Sequence, residues 1–334
     1  MSHFTVLVIG DTPEEQLMPY QENNMGDCPG EFLEFNETET ENKEEYENDF
    51  TEKVIMPDGR KLNKWDNEFR VQGAMGIGSG THEVPENLEI QKIPFTELYA
   101  TFEEYMEKWC SYDERDEKMG LYGYWENPNA KWDWFQLGGR WTGFFELKPG
   151  STWSSNKSLG EPGLMTAPAK CGQADQARKG EIDWESMMKK AGEEADKTYT
   201  KFIEVTKDIE LPKRWEEIRE SMFPGDIQAA REYYNAHPFV QAVRKADLDP
   251  FMDETLDYYC VNNGGRETFV ANQMANSIST FAVLKDGKWY EKGSMGWWGL
   301  VSDEKEQNKW NEEYLKLIQN LPDDTLVSVY DCHI

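Results

Sequence analysis

Basic residues are scarce in this chain of 334 residues. It contains 35 Lys and Arg against 64 Asp and Glu, which gives a formal charge of -29 at pH 7. Such a surface repels a phosphate backbone, so the composition argues against general nucleic-acid binding. Two interpretations of the charge stay open: simple solubility, or an acidic surface that mimics nucleic acid and occupies the binding groove of a partner protein.

Long hydrophobic runs and paired cysteines are also lacking. No stretch approaches the length of a membrane span, and the first residues show neither the basic region nor the cleavage site of an export signal. The five cysteines are far apart without a CxxC pair, which argues against a zinc ribbon and predicts reduced thiols. We therefore expect a cytoplasmic protein without membrane partners.

Familiar catalytic motifs are missing as well. The sequence contains no GxSxG elbow, no HExxH helix, no EF-hand loop and no Walker motif. Any functional site therefore has to be inferred from the chemistry and spacing of individual side chains.

Aromatic residues, in contrast, are abundant at 13% of the chain and predict a globular core. Apolar, β-branched runs predict a first strand at Phe4–Ile9 and a last strand at Thr325–His333, and Asp286-Gly287 between alternating apolar residues predicts a hairpin with a type I′ turn. These elements predict an α+β fold. Its mixed or mostly antiparallel sheet holds the N- and C-terminal strands, and a helical segment is inserted.

Loops divide the sequence into three parts. Residues 1–150 form a β-rich part with an acidic insertion at about 31–70, residues 173–278 form a mainly helical part, and residues 279–334 return to the sheet through a hairpin, a helix and the final strand. A capping box formed by Asp303 and Glu306 predicts the start of that last helix.

The densest aromatic segment is KWDWFQLGGRWTGFF, from Lys131 to Phe145. Strand alternation places Trp132 and Trp134 on one side, and Gly138-Gly139 lets the backbone turn or approach another group. One interpretation is a pocket in which a tryptophan stacks on a planar ring while Arg140 binds a phosphate or carboxylate. The alternative is a hairpin whose tryptophans fill the core and whose arginine pairs with Asp133 or another acid.

A second basic tract follows at 175–183, with the sequence DQARKGEID. Arg178 would share an anion with Arg140 if the fold brings them together. The alternative is a set of ordinary surface salt bridges, each of which stabilises little.

The chain ends hold a third group of polar side chains. Asp331 and His333 share one face of the last strand because side chains alternate along a strand, whereas Cys332 points to the other face. His3 lies next to the first strand. If the terminal strands are neighbours, His3, Asp331 and His333 converge in an arrangement of two histidines and one carboxylate that could hold a divalent metal. The alternative is that these histidines are exposed and have no function.

Several of these segments carry a family resemblance: MSHFTVLVIGD, NPNAKWDWFQLGGRW, DQARKG, MGWWGLVSDEK and LPDDTLVSVYDCHI. Together they resemble an uncharacterised family of proteins from tailed bacteriophages and some bacteria. The resemblance covers both ends and the middle of the chain, and transfers no catalytic residues. It implies a phage accessory protein that acts in the host bacterial cytoplasm, with action against a host defence as one such role.

Two functions follow as hypotheses. The first is a protein that binds or processes a nucleotide-like or other small anionic molecule. Processing would need a general base or a metal, and His3, Asp331 and His333 at the chain ends are the candidates to supply it. The second is an acidic inhibitor that binds a host protein without a pocket or catalysis. The ligand-binding residues predicted for the first hypothesis are Trp132, Trp134, Arg140, Trp141, Arg178, Trp297 and Trp298.

Overall fold

The computed structural model describes residues 2–72, 80–112, 114–151, 172–250, 254–296 and 299–334. The chain forms two compact units, one made of Met1–Asn24 with Asn129–Ile334, and the other of Met25–Pro128. The sequence places an acidic insertion at about 31–70, and the second unit is longer than that segment on both sides.

The chain begins with strand β1 (His3–Ile9) and helix α1 (Pro13–Leu17). The strands described in the unit Met25–Pro128 are β2 (Glu34–Glu37), β3 (Phe50–Ile55), β4 (Lys61–Leu62), β5 (Arg70–Gln72), β6 (Gly80–His82), β7 (Glu89–Pro94) and β8 (Gly123–Glu126). The helices described there are α2 (Glu39–Asn48), α3 (Phe95–Leu98) and α4 (Phe102–Lys108).

The chain then returns to the first unit. Its strands are β9 (Trp134–Leu137), β10 (Phe145–Glu146), β11 (Gln173–Ala174), β12 (Gln176–Arg178), β13 (Ala282–Lys285), β14 (Lys288–Glu291), β15 (Ser294–Met295), β16 (Val301–Ser302) and β17 (Leu326–His333). Its helices are α5 (Trp184–Thr206), α6 (Trp215–Glu217), α7 (Ile227–Ala236), α8 (Pro238–Lys245), α9 (Thr255–Tyr258), α10 (Gly265–Asn276) and α11 (Gln307–Gln319).

The main sheet has the strand order β12–β17–β1–β13–β14, and β9 also pairs with β17. Strand β1 is parallel to β13, and the other pairs in this sheet are antiparallel. On the side of β17 away from β1, β12 pairs with the first half of β17 and β9 with the second half. The α+β fold and the mixed sheet that contains both terminal strands are therefore as predicted.

Both faces of this sheet are covered by apolar side chains. Leu7 and Val329 lie opposite each other on one face, where they join a buried cluster with Trp310 of α11. Val6 and Tyr330 form the equivalent pair on the other face, in a second buried cluster. β1 and β17 are thus apolar on both sides, which explains why their sequences are nearly continuous hydrophobic runs.

The helices between 184 and 276 have an aromatic core of their own. Phe202 of α5 stacks on Tyr259 with ring centroids 4.0 Å apart, and Phe239 of α8 and Phe269 of α10 belong to the same cluster. Within the described residues, no helix is both long enough and apolar enough to cross a membrane.

The unit Met25–Pro128 contains small antiparallel sheets, of which the largest has the order β4–β3–β7. Its core is formed by Phe95, Tyr105, Met106 and Tyr122. Helix α2 buries none of its residues, which agrees with its acidic composition.

Two local predictions had different outcomes. Asp286 and Gly287 both have positive φ, at 52° and 70°, and connect β13 to β14, which confirms the predicted hairpin. The prediction that a capping box at Asp303 begins the last helix was wrong. Asp303 has a φ of 51°, so the backbone turns there, and α11 begins only at Gln307.

Candidate functional site

Three neighbouring strands bring chemically reactive side chains together at one end of the main sheet. His333 of β17 lies directly opposite His3 of β1 on one side and opposite Trp134 of β9 on the other. Residues that are directly opposite in a sheet point to the same face. These three side chains therefore form a row on the face whose centre carries Leu7 and Val329.

The first histidine of this row is held by a buried carboxylate. His3 Nδ1 is 2.7 Å from Oδ1 of Asp331, which lies one pleat further in on the same face and is only 1% exposed. The other oxygen, Oδ2, accepts a hydrogen bond of 2.9 Å from the backbone N–H of Arg140. The carboxylate is thus fixed at both oxygens, and it fixes the orientation of the His3 ring in turn.

The second histidine is held in the same way by a different carboxylate. His333 Nδ1 is 2.6 Å from Oδ1 of Asp133, and Oδ2 of Asp133 accepts a hydrogen bond of 3.3 Å from the side-chain amide of Asn24. The backbone N–H of Asp133 also donates to the carbonyl of His333 at 2.9 Å. This second dyad joins the last strand to the segment that precedes β9.

The two imidazole rings contact each other edge to face. Their centroids are 4.9 Å apart with an angle of 68° between the planes, and the side chains are 15% and 14% exposed. Because a carboxylate only accepts hydrogen bonds, Nδ1 carries the proton in each ring, and Nε2 of the neutral ring is an acceptor. Nε2 has no protein partner in either ring among the described residues, so both are available to a ligand.

The predicted convergence of His3, Asp331 and His333 is therefore present, but its chemistry differs from the predicted metal site. Asp331 is bound to Nδ1 of His3 and to the Arg140 backbone, so it orients a histidine and does not face a shared ion. Within the described residues, no group of three or more His, Cys, Asp or Glu side chains is arranged to hold a metal ion. Cys332 points to the opposite face, as predicted, and is fully buried.

The Gly138-Gly139 pair allows the backbone to pass close to two carboxylates. Both residues have positive φ, at 71° and 49°. A Cβ atom at Gly138 would overlap the side chain of Asp175, and one at Gly139 would overlap that of Asp331. Asp175 is buried and accepts hydrogen bonds from the N–H groups of Gly143 and Phe144. Both glycines are therefore needed to hold the turn that follows β9.

The tryptophans of this segment do not form one wall. Trp132 is 3% exposed, packs against Phe135 with centroids 4.8 Å apart and donates its indole N–H to the carbonyl of Leu17 at 3.1 Å. The expectation that Trp132 and Trp134 share a side was wrong. Trp132 precedes β9 and pairs with Gln21 in a separate bridge, so the alternation of β9 does not extend to it.

Trp134 is the tryptophan that lies at the histidine pair. It is 46% exposed, and its ring is 6.2 Å from that of His3. Trp141 is partly buried in the 3₁₀ turn Gly139–Trp141. The side chain of Arg140 is exposed and has no ion-pair partner in the described part of the chain. The alternative in which Arg140 pairs with Asp133 is therefore not what the structure has.

Among the other predicted ligand-binding residues, Arg178 is not at this site. Arg178 pairs with Leu326, five residues before Asp331 in β17, which corresponds to roughly 17 Å along the strand. Its guanidinium binds the carboxylate of Asp11 at 3.2 Å and the carbonyl of Asp324 at 2.8 Å, as in the surface salt-bridge alternative. Trp297 and Trp298 lie outside the described residues.

Glu22 and Asn24 are site residues that the sequence did not reveal. The segment from Tyr20 to Asn24 runs alongside Lys131–Asp133 and places both side chains near Asp133. Partial burial raises the pKa of Glu22, the charge of Asp133 adds to this, and the charge of His333 acts in the opposite direction. Nothing in the local sequence indicates this position, because it depends on a pairing between distant segments.

Comparisons with protein-family models, with curated proteins and with solved structures found no match. The resemblance to a phage family therefore stays a prediction.

Proposed function

We propose that this protein is an acid–base catalyst that cleaves a phosphodiester bond in a nucleotide-like small molecule. One observation carries the proposal: two imidazoles lie 4.9 Å apart, each held at Nδ1 by a carboxylate, with Nε2 left for a ligand. A positioned general acid or base contributes about 10²- to 10⁴-fold to a rate, and this pair supplies one of each.

Phosphodiester chemistry suits this arrangement because it needs two proton transfers on opposite sides of one atom. The attacking oxygen loses a proton while the leaving oxygen gains one. No Ser, Thr or Cys side chain is hydrogen-bonded to either imidazole among the described residues, so a covalent intermediate of the serine-hydrolase type is not favoured. Direct attack by water or by a hydroxyl of the substrate fits better.

Two exposed side chains near the dyads favour a nucleotide-like substrate. Trp134 has a side chain that is 46% exposed, and base–aromatic stacking is worth about 1–3 kcal/mol per base. Arg140, whose backbone N–H binds Asp331, has an exposed guanidinium that is suited to a phosphate. The proposed setting, the cytoplasm of a phage-infected bacterium, follows from the sequence resemblance only.

The test is turnover of a panel of cyclic mononucleotides, cyclic dinucleotides and linear dinucleotides, followed by ³¹P NMR. We expect His3→Asn and His333→Asn each to lower turnover about 10²- to 10⁴-fold, since Asn keeps a hydrogen bond to the carboxylate but cannot shuttle a proton. His237→Asn is the matched control, because His237 caps α8 far along the chain and Asn is also a good N-cap. Parallel reactions with Mg²⁺, Mn²⁺, Zn²⁺ or EDTA show whether a divalent metal is required.

Unchanged turnover in both site variants would refute the proposal. If the wild-type protein neither binds nor turns over any member of the panel, the second hypothesis, an acidic inhibitor of a host protein, becomes the better one. It is tested by capture of partners from bacterial lysate at low and high salt, because charge-driven binding weakens as salt rises.

A further inference from the structure

A cleft of about 430 Å³ lies between the last turns of α10 and the N-terminal end of α11. Its volume is within the range of about 300–1,000 Å³ that is typical of small-molecule sites. Tyr258 of α9 and Lys292, which follows β14, also line it. The two histidines and their carboxylates are not among the lining residues, so this cleft is a separate candidate site.

Carboxamide side chains dominate the wall of the cleft. Four of them line it and are half-buried: Asn272, Gln273 and Asn276 of α10, and Gln307 of α11. Asn272 and Asn276 are four residues apart and therefore share one face of α10. Because a carboxamide carries donors and an acceptor but no charge, the wall offers hydrogen bonds of both kinds to a neutral ligand.

A fifth amide, which is buried, fixes the orientation of two of these side chains. Asn311 is 5% exposed; its Oδ1 accepts a hydrogen bond of 3.0 Å from Nε2 of Gln307, and its Nδ2 donates one of 2.9 Å to Oδ1 of Asn276. In the described part of the chain, the N–H groups of the Asn276 amide and Oε1 of Gln307 have no hydrogen-bond partner. This relay of three amides thus has a donor at one end and an acceptor at the other.

The charged side chains that line the cleft are already in ion pairs. Each has a partner of opposite sign within 3.2 Å: Asp257 with Arg214, Lys292 with Glu304, Lys305 with Glu313, and Glu306 with Lys309. A phosphate or carboxylate would have to compete with a protein carboxylate for a cation. The cleft therefore favours an uncharged ligand over an anion.

We infer that this cleft binds a neutral monosaccharide unit, with the sugar hydroxyls on the amides and the sugar ring against Tyr258. A hydroxyl donates one hydrogen bond and accepts others, so it matches a wall that has both a free donor and a free acceptor. An aromatic ring adds flat apolar area next to these polar groups. The inference does not depend on the proposed function, because the histidine pair takes no part in it.

The test is titration with glucose, galactose, mannose and N-acetylglucosamine, followed by ¹H–¹⁵N NMR of the side-chain amides. We expect at least one of these sugars to shift the signals of Asn276 and Gln307. The uronic acids of the first three sugars are the matched anions, since a carboxylate replaces one CH₂OH group. They should bind more weakly than the neutral sugars, because the cations of the cleft are already paired.

Two variants test the amides themselves. Gln273→Ala removes a side-chain amide that makes no hydrogen bond to a described residue, so it should weaken sugar binding about 3- to 10-fold without a change in melting temperature. Asn276→Asp keeps an oxygen that accepts from Asn311 but has no N–H to donate, and should weaken binding at least about tenfold. Gln319→Ala is the control, because it removes an exposed amide at the other end of α11 and should leave binding unchanged.

Three results would overturn the inference: no binding of any of the four sugars up to their solubility limits, binding that survives both cleft variants, or uronic acids that bind as tightly as the neutral sugars. His3→Asn should bind the sugar like the wild type, and a loss there would place the sugar at the histidine pair instead. Since binding is measured without turnover, failure of the proposed phosphodiester cleavage does not affect this test.

Discussion

Gly139 lies so close to Asp331 that no side chain fits between them. We predict that Gly139→Ala lowers the free energy of unfolding by about 3 kcal/mol, because the added methyl group overlaps a buried carboxylate and the residue has positive φ. Gly287→Ala is the control. Gly287 also has positive φ but faces open space, so only the backbone cost of about 1 kcal/mol applies. Urea unfolding of both variants measures the difference, and equal losses would contradict the close approach.

Neighbouring tryptophans should respond differently to the same change. Trp132→Phe removes a buried indole and its hydrogen bond to Leu17, so we expect a loss of about 2 kcal/mol in unfolding free energy. Trp134→Phe changes an exposed ring and should cost less than about 0.5 kcal/mol. Chemical denaturation monitored by circular dichroism tests both. A larger loss for Trp134 would mean that the exposed ring carries structural contacts.

Glu22 makes stability depend on pH. Its pKa is raised in the folded state, so the folded protein holds this proton to a higher pH than the unfolded chain does. The stability associated with the protonated form is present below the unfolded pKa and is lost as pH rises through the folded pKa. We therefore predict that Glu22→Gln raises the melting temperature at pH 7 but not at pH 3.5. A gain of equal size at both pH values would rule out this linkage.

At the scale of single residues, strand periodicity is the reason that much of the site could be predicted. Asp331 and His333 share a face by alternation, and His3 joins them once the terminal strands pair. One of the two alternatives from the sequence pairs Arg140 with Asp133 or another acid, whereas in the structure Asp133 binds His333. Glu22 was missed because its position depends on a contact between segments more than a hundred residues apart, which no local pattern records.

At the scale of elements, β17 is the strand that positions the site residues. Its first half pairs with β12 and its second half with β9, so one strand places Arg178 and Trp134 at opposite ends of the same edge. The sequence predicted the terminal strands and the hairpin, since those depend on local apolar patterns and turn residues. It could not predict that two short strands share one edge of β17, because strand order is set by long-range packing.

The N-terminal ends of α5 and α11 provide a prediction about stability at the scale of elements. The side chain of Asp183 accepts a hydrogen bond of 3.0 Å from the N–H of Ser186 and caps α5, so Asp183→Ala should cost about 1 kcal/mol. Glu306 precedes α11 without a side-chain cap, and Glu306→Ala should change stability by less than about 0.5 kcal/mol. Thermal unfolding of the two variants compares them directly. Equal effects would mean that the cap on α5 contributes nothing.

For the whole molecule, the dominant electrostatic quantity is the charge of -29. Raising NaCl from about 10 mM to about 150 mM shortens the Debye length from about 30 Å to about 8 Å and weakens repulsion between acidic groups. We predict a higher melting temperature at the higher salt concentration, and no such rise with an uncharged solute at equal osmolality. A fall in melting temperature would show that surface ion pairs contribute more than the net repulsion.

The histidine row shares its face of the sheet with the apolar cluster around Leu7 and Val329, two pleats further in. Hydrogen bonds between β1 and β17 fix the spacing of the imidazoles in the same way that they fix the spacing of the core residues. The two imidazoles are thus held at a fixed spacing when the chain folds, and under the proposed function a substrate would not have to assemble them. Ligands whose reacting centre is too wide for this fixed gap would be rejected on geometry alone.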